Sequence, residues 1–378
     1  MSDVLYINVG QAGCSIGNTV LQSVHSHHSS PFFKDNSPHA LFCDSEPRVI
    51  SSRSSQWNSP SFFAKVGAST NWGRGFTQSS LIESICDGIR KKSESMDWLG
   101  SICWTSSITG GSGGGLFCGI LTNDDVVHCP NHVLVSPVSV NNTIPLHSFC
   151  SSLSIYNCFD YLDSFLFFDN DRLFNFNSRK AKRVSLKQTK TIDQVNIRIS
   201  DFIKNVLSPT GSGNDVTCSK FPLTSSEIFQ RFGPFLDCFS VSSRDSTATL
   251  IDDQYKQLTE ALVCELVRGV ETNAMVICPQ RVHSIVSAQL GRLPTLSSTF
   301  YGTKYTENNI SLMGSFGIAP STLLRHAIRA RRSVMSGAYV HYLEQYDVEM
   351  STIRHACSFV EGVVEREGLT VSYSDSYN

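Results

Sequence analysis

The sequence contains no C-x-x-C pair, although thirteen cysteines are scattered from Cys14 to Cys357. That absence excludes the common zinc and dithiol templates. It also lacks an excess of charge of either sign: 31 lysines and arginines face 33 aspartates and glutamates. No global field draws such a chain to nucleic acid or to an anionic membrane. There is no apolar run of membrane-spanning length, no charged leader in Ser2 to Val9 and no internal repeat. With scattered thiols, this pattern predicts a soluble protein of the reducing cytoplasm. What is present is 40% hydrophobic residues in 378 positions. That length exceeds what one core serves, so two or three subdomains are expected.

Local patterning predicts an α/β chain. Val4 to Val9 is a β-branched and aromatic run broken by Gly10, and Ile16, Val20, Leu21 and Val24 then recur at helical spacing. Ala40 to Cys43 reads as a second strand ending at Asp44, and residues 51–61 read as loop. Leu81 to Met96 reads as an amphipathic helix, Ser101 to Ile108 as a strand, and Leu116 to Leu121 as helix. His132 to Val135 and Ser164 to Phe168 read as strands. Such alternation gives a parallel sheet with helices on both faces. Thr191 to Val206 reads as a longer helix with Val195, Ile199, Phe202 and Val206 on one face. The Gly- and Ser-rich stretch Ser208 to Lys220 marks a boundary. Asp237 to Val241 and Ala274 to Cys278 read as strands, and the pattern is helical from Pro320 to about Arg366. These readings divide the chain at residues 1–190, 191–206, 207–320 and 321–378.

Thr109-Gly110-Gly111-Ser112-Gly113-Gly114-Gly115 follows a strand and precedes a helix. Glycines there let backbone N–H groups approach a phosphate, and the helix N-terminus adds its positive end. Thr109 and Ser112 add hydroxyls. No lysine follows, so this is not a P-loop. Gly10, Gly13 and Gly17 depart from the G-x-G-x-x-G spacing. No ribose-binding acid completes a dinucleotide site, which argues against an NAD-dependent oxidoreductase. Asp44 and Glu46 stand at a strand end, where one or two carboxylates suit Mg²⁺ beside phosphate; alone, the pair is equally a solvated turn. His25, His27 and His28 have no matching ligand spacing and read as loop. Arg179 to Arg183, with Lys187 and Lys190, reads as a solvated face.

Taken in order, these segments resemble the tubulins. Thr109 to Gly115 is similar to the family's GGGTGSG signature. Gly10-Gln11-Ala12-Gly13-Cys14-Ser15-Ile16-Gly17 resembles GQCGNQIG. Cys43 to Ile50 resembles the D-x-E-P segment, nearest the form of the delta class. Gly67 to Gly75, with Asn71-Trp72, resembles AGNNWA-G, and Asp169 to Leu173 resembles DNEAL. Ala338 to Leu343 resembles AF-[VL]-HWY. The resemblance is strongest over residues 1–175 and 321–365.

The resemblance implies a Rossmann-like GTPase domain, a central helix, a mixed α/β intermediate domain and C-terminal helices. It implies GTP or GDP with Mg²⁺ as ligands. Gln11 is then placed near the phosphates and metal, and Ala12 contributes a backbone contact. Gly110, Gly111, Ser112 and Gly113 cradle phosphates, while Ser69 and Thr70 stand where the terminal phosphate is contacted. Glu46 is the magnesium-side acid and Asp44 a phosphate-side or water-holding group. Asn170 and Asn196 take the guanine edge, where an amide supplies both donor and acceptor. Glu227 aligns the attacking water in the site of the next subunit; its bland alternative is an exposed helix carboxylate. The implied partners are other tubulin subunits or microtubule ends. The implied location is cytoplasm and cytoskeleton, at centrioles or basal bodies for the delta class. The chain departs from the family at Ser15, Ser69, His147 and Ile192, where a stacking aromatic is expected. Those departures keep a second reading open, a structural pseudo-GTPase that no longer hydrolyses nucleotide.

Overall fold

A computed structural model describes residues 3–25, 33–34, 37–53, 57, 59–129, 131–139, 144–171, 173, 192–207, 234–242, 272–279, 296–303 and 309–366. The expected boundary at Ser208 to Lys220, the basic run Arg179 to Lys190, His27, His28 and Glu227 lie outside them.

The chain opens with β1 (Asp3–Val9) and α1 (Gly10–Val24), then the hairpin β2 (Phe33–Lys34) and β3 (Ser37–Pro38). Next come β4 (Ala40–Asp44), α2 (Pro47–Arg53), β5 (Ser61–Phe63), α3 (Trp72–Phe76), α4 (Ser79–Glu94) and β6 (Leu99–Ser106). A single π-helical turn, Gly111–Leu116, runs into α5 (Phe117–Leu121), and α6 (Asp124–Val127), β7 (His132–Val138), α7 (Pro145–Cys158) and β8 (Ser164–Asp169) follow. The remainder comprises α8 (Ile192–Leu207), β9 (Phe235–Ser242), β10 (Thr272–Pro279), β11 (Leu296–Thr303), β12 (Asn309–Gly314), α9 (Ile318–Met335), α10 (His341–Glu344) and α11 (Met350–Arg366).

Among the described residues, one ten-stranded sheet runs in the order β11-β10-β12-β9-β8-β7-β6-β1-β4-β5. From β5 to β9 every neighbouring pair is parallel, as Ile7 shows by facing Leu41 on one side and Trp104 on the other. β12 alone is antiparallel to both its neighbours. Parallel strands covered on both faces need apolar side chains throughout, and Val4 to Val9 are all buried. The polar member of that run, Asn8, donates its Nδ2 to the Leu41 carbonyl at 3.2 Å. Helix α1 packs against both α2 and α8, while α7, α9 and α11 pack on one another. No helix of the described residues is long and apolar enough to cross a membrane.

Three elements depart from the sequence reading. Within the expected loop 51–61, Pro47 starts a helix that ends at Arg53. Ser51 and Ser52 donate their hydroxyls back to the Arg48 and Val49 carbonyls, which accommodates serine in a short helix. Helix α7 was not legible because it has no polar face: Ser148 to Ile155 are all buried. A helix enclosed on all sides loses the period that marks amphipathic ones. The sheet also continues past the expected boundary, since β9 pairs with β8 at Leu166 and Leu236.

One buried acid joins strand to helix. Asp237 on β9 accepts the N–H groups of Phe316 (3.0 Å) and Ile318 (2.9 Å) on Oδ2, and that of Ala319 (2.7 Å) on Oδ1. It thereby satisfies the orphan donors at the start of α9.

Candidate functional site

The carboxyl ends of β1, β4, β6, β7 and β8 open onto a cavity of about 740 Å³. Chain order reverses between β1 and β6, and that switch point is where open parallel sheets bind ligands. Gln11, Ala12, Asp44, Glu46, Ser69, Thr70, Gly110, Gly111, Ser112, Gly113, Asn170 and Asn196 all line this one space. Glu227 falls outside the described residues.

At one end lie the glycines. Gly10 adopts φ +77°, a conformation that glycine alone enters freely, and its missing Cβ leaves Gly113 N where that atom would sit 2.9 Å away. The Gly111 N–H donates to the Ser69 carbonyl at 2.9 Å, which fixes the turn 68–71 against the glycine run. Ser69 itself has φ +51°, an uncommon state for a serine. Among the described residues no hydrogen bond engages the N–H of Ser112 or Gly113, as expected for the opening turn of a helix. That turn's positive end faces the cavity. Asn71 anchors the same region: its Oδ1 caps α3 by accepting Arg74 N–H at 3.0 Å, and its Nδ2 donates to the Tyr342 carbonyl. Trp72 is buried and donates its indole N–H to Ser154 at 3.0 Å.

In the middle lie the acids. Asp44 is buried, and its Oδ1 accepts from the Ser112 hydroxyl and the Glu46 N–H, each at 3.0 Å. Burial outweighs those bonds and raises the Asp44 carboxyl to about 6. Among the described lining residues none is lysine or arginine. His147 at the rim adds little positive charge, because burial lowers its pKa. The described residues hold no group of three or more potential metal ligands. Two carboxylates still suit Mg²⁺, which takes the rest of its shell from phosphate and water.

A stability prediction follows from Asp44. The fold binds a proton here more tightly than the unfolded chain does. The stabilisation from this proton is therefore full below the ordinary carboxylate range and lost as pH rises through about 6. Without ligand, the stability difference between wild type and Asp44→Asn should shift by about 2–3 kcal/mol in the variant's favour from pH 4 to pH 7. Urea melts at four pH values measure this. Two curves that stay parallel would refute it.

At the far end lie the asparagines. The Asn170 Oδ1 is buried and has no hydrogen-bond partner among the described residues, and Asn196 is buried on α8. Ile192 reaches the cavity while 69% exposed, and no described lining residue is Phe, Tyr or Trp. Ser107 and Asp193 also line the space without having been singled out from the sequence. Ser107 follows the β6 strand and Asp193 follows Ile192; that adjacency was the available signal.

A parallel sheet whose switch point holds a glycine turn, an acid pair and two asparagines defines an α/β mononucleotide-binding domain. Residues 3–178 match the family described as Tubulin/FtsZ family, GTPase domain. The chain is thus similar to that family over a little under half of its length. It is 27% identical over 221 residues to a nucleomorph tubulin beta chain of Guillardia theta, covering 49% of this chain and 50% of that one. It is 25% identical over 258 residues to a tubulin beta chain of Coprinopsis cinerea, covering 59% and 55%. It is 29% identical over 201 residues to a tubulin beta-1 chain of Chondrus crispus, covering 49% and 40%. The chain spans about half the length of these relatives.

Proposed function

We propose that this chain is a tubulin-like protein that binds a guanine nucleotide as its Mg²⁺ complex. The observation that carries this is the buried Asn170 Oδ1, which has no partner among the described residues and lines the same cavity as the glycine turn. A buried acceptor left alone costs free energy, and the N1–H and amino group of guanine supply the missing donors. The glycine turn then receives the phosphates, with Gln11, Ala12, Ser69 and Thr70 around them and Asn196 beside the base. A polyanion entering a cavity whose described lining holds carboxylates and no lysine or arginine calls for a cation, and Asp44 and Glu46 are the groups that would hold it. Bound Mg²⁺ would neutralise phosphate charge there. Purified protein should bind Mg·GDP in preference to Mg·ADP, and EDTA should weaken that binding. Asn170→Ala should remove the base preference, costing about tenfold or more in GDP affinity. Equal affinity for GDP and ADP in the wild type would refute the reading.

Hydrolysis, in this reading, is phosphoryl transfer to a water aligned by Glu227 of a neighbouring subunit, so the site is completed by assembly. Turnover per molecule should fall on dilution; a constant rate would argue against a shared site. The four-part division at 190, 206 and 320 is retained, with Ile192–Leu207 as the central helix. Other tubulin subunits or microtubule ends are the proposed partners, in cytoplasm and cytoskeleton. The delta class, with centrioles or basal bodies, is supported by the run Asp44 to Ile50 and the short spacer from it to Asn71-Trp72. The pseudo-GTPase alternative draws on two specific observations: the exposed Ile192 and the left-handed Ser69.

A further inference from the structure

Helix α9 carries a histidine on its buried face. His326 is fully enclosed. Its Nε2 lies 3.2 Å from the Ser139 carbonyl, just past β7, and its Nδ1 lies 3.2 Å from the Ser148 hydroxyl on the first turn of α7. A carbonyl only accepts, so Nε2 carries the proton and donates it. Nδ1 is then bare and accepts from Ser148. The ring is thus a neutral bridge with both nitrogens used. Burial pushes its pKa down to about 4, and its positive neighbours Arg329, His147 and Arg325 act in the same direction.

Both ends of the bridge touch the wall of the cavity. Ser139 is two residues from Pro137 and Ser148 is next to His147, and both neighbours line the space. The Ser139 hydroxyl in turn donates to Asp171 Oδ1 at 2.7 Å, and Asp171 follows Asn170. Two segments that bound the nucleoside half therefore meet at one side chain of the C-terminal layer, and a third is tied to them through the Ser139 hydroxyl. The phosphate half is tied differently: the glycine turn is held by Ser69 and Asp44, and Asn71 next to that turn reaches the Tyr342 carbonyl, not His326.

We propose that His326 is a positioning residue, tying the segment after β7 and the start of α7 to α9 so that the nucleoside wall of the cavity keeps its shape. This rests on the nucleotide reading above and adds to it a residue outside the cavity. Two substitutions separate the bonds. His326→Gln can place a donor near the Nε2 position and keep the Ser139 bond, whereas His326→Asn reaches only the Ser148 end.

The test measures binding of Mg·GDP and of Mg·tripolyphosphate by calorimetry, and amide exchange over residues 137–139 without ligand. His326→Asn should weaken GDP about tenfold, leave tripolyphosphate within about twofold and speed exchange at 137–139. His326→Gln should restore both readouts toward wild type. Equal losses for the two ligands, or a Gln variant no better than Asn, would overturn the proposal. So would unchanged GDP affinity in the Asn variant. If wild type binds no GDP, the nucleotide reading fails and exchange alone decides the tie: faster exchange in the Asn variant supports it, and unchanged exchange removes it.

Discussion

Gly111→Ala should abolish measurable nucleotide binding, while Gly110→Ala next to it should be tolerated. A Cβ on Gly111 would lie 2.6 Å from the Ser69 carbonyl oxygen, 2.7 Å from that of Asn71 and 2.8 Å from that of Ala68. All three are backbone atoms of one turn, so no side chain can rotate away. The turn must retreat, and the bond from Gly111 N–H to Ser69 is lost with it. Ser69 and Thr70 then leave the phosphate end of the cavity. A displacement of this size costs about a hundredfold or more in affinity for Mg·GDP. At Gly110 the nearest atoms to a built Cβ are 3.9 and 4.0 Å away, and affinity should stay within about threefold. Titration of both variants by calorimetry decides it. A Gly111→Ala protein that binds like wild type would show that the turn and the glycine run move independently.

The largest loss of stability is expected at Asp237→Ala. Three N–H donors at the start of α9 converge on this carboxylate, which is 1% exposed. Removing it strands those donors inside the protein and takes the acid away from the positive helix end. The cost should be about 3–5 kcal/mol, read as a lower urea midpoint with an unchanged slope. Asp237→Asn should be milder, since a carboxamide keeps one acceptor oxygen. A change below about 1 kcal/mol for the alanine variant would mean that water replaces the carboxylate without strain.

The sequence disclosed this site unevenly, and the reasons are physical. Gln11, Asp44, Ser69 and Gly110 sit on short turns at strand ends, where a phosphate is met by contiguous backbone. Such turns leave motifs that can be read locally. Asn170 and Asn196 belong to separate elements, so only resemblance paired them, and the cavity now brings them together. Asp237 stood as a lone charge in the apolar run Phe235 to Val241, a signal that was available and not used. His326 could not be found in this way. Its partners Ser139 and Ser148 lie 187 and 178 positions upstream. The pairing of β12 with β9 was equally hidden, because alternation along a strand says which face is buried but not which neighbour is chosen.

Helix α7 has no polar side to show to water, and that bears on how the protein is made. Its cover is α9 and α11, with Tyr156 and Phe159 set against Phe359 at ring separations of 5.5 and 5.7 Å. Those covering residues are made long after α7. A nascent chain that has already closed the first strands must wait with Phe149, Leu153 and Ile155 unshielded until some two hundred further residues have followed. The segment up to α7 therefore reaches its final state only after α9 and α11 have emerged. Ribosome-arrested chains truncated before residue 318 should engage holding chaperones, and chains extended beyond residue 366 should be released from them.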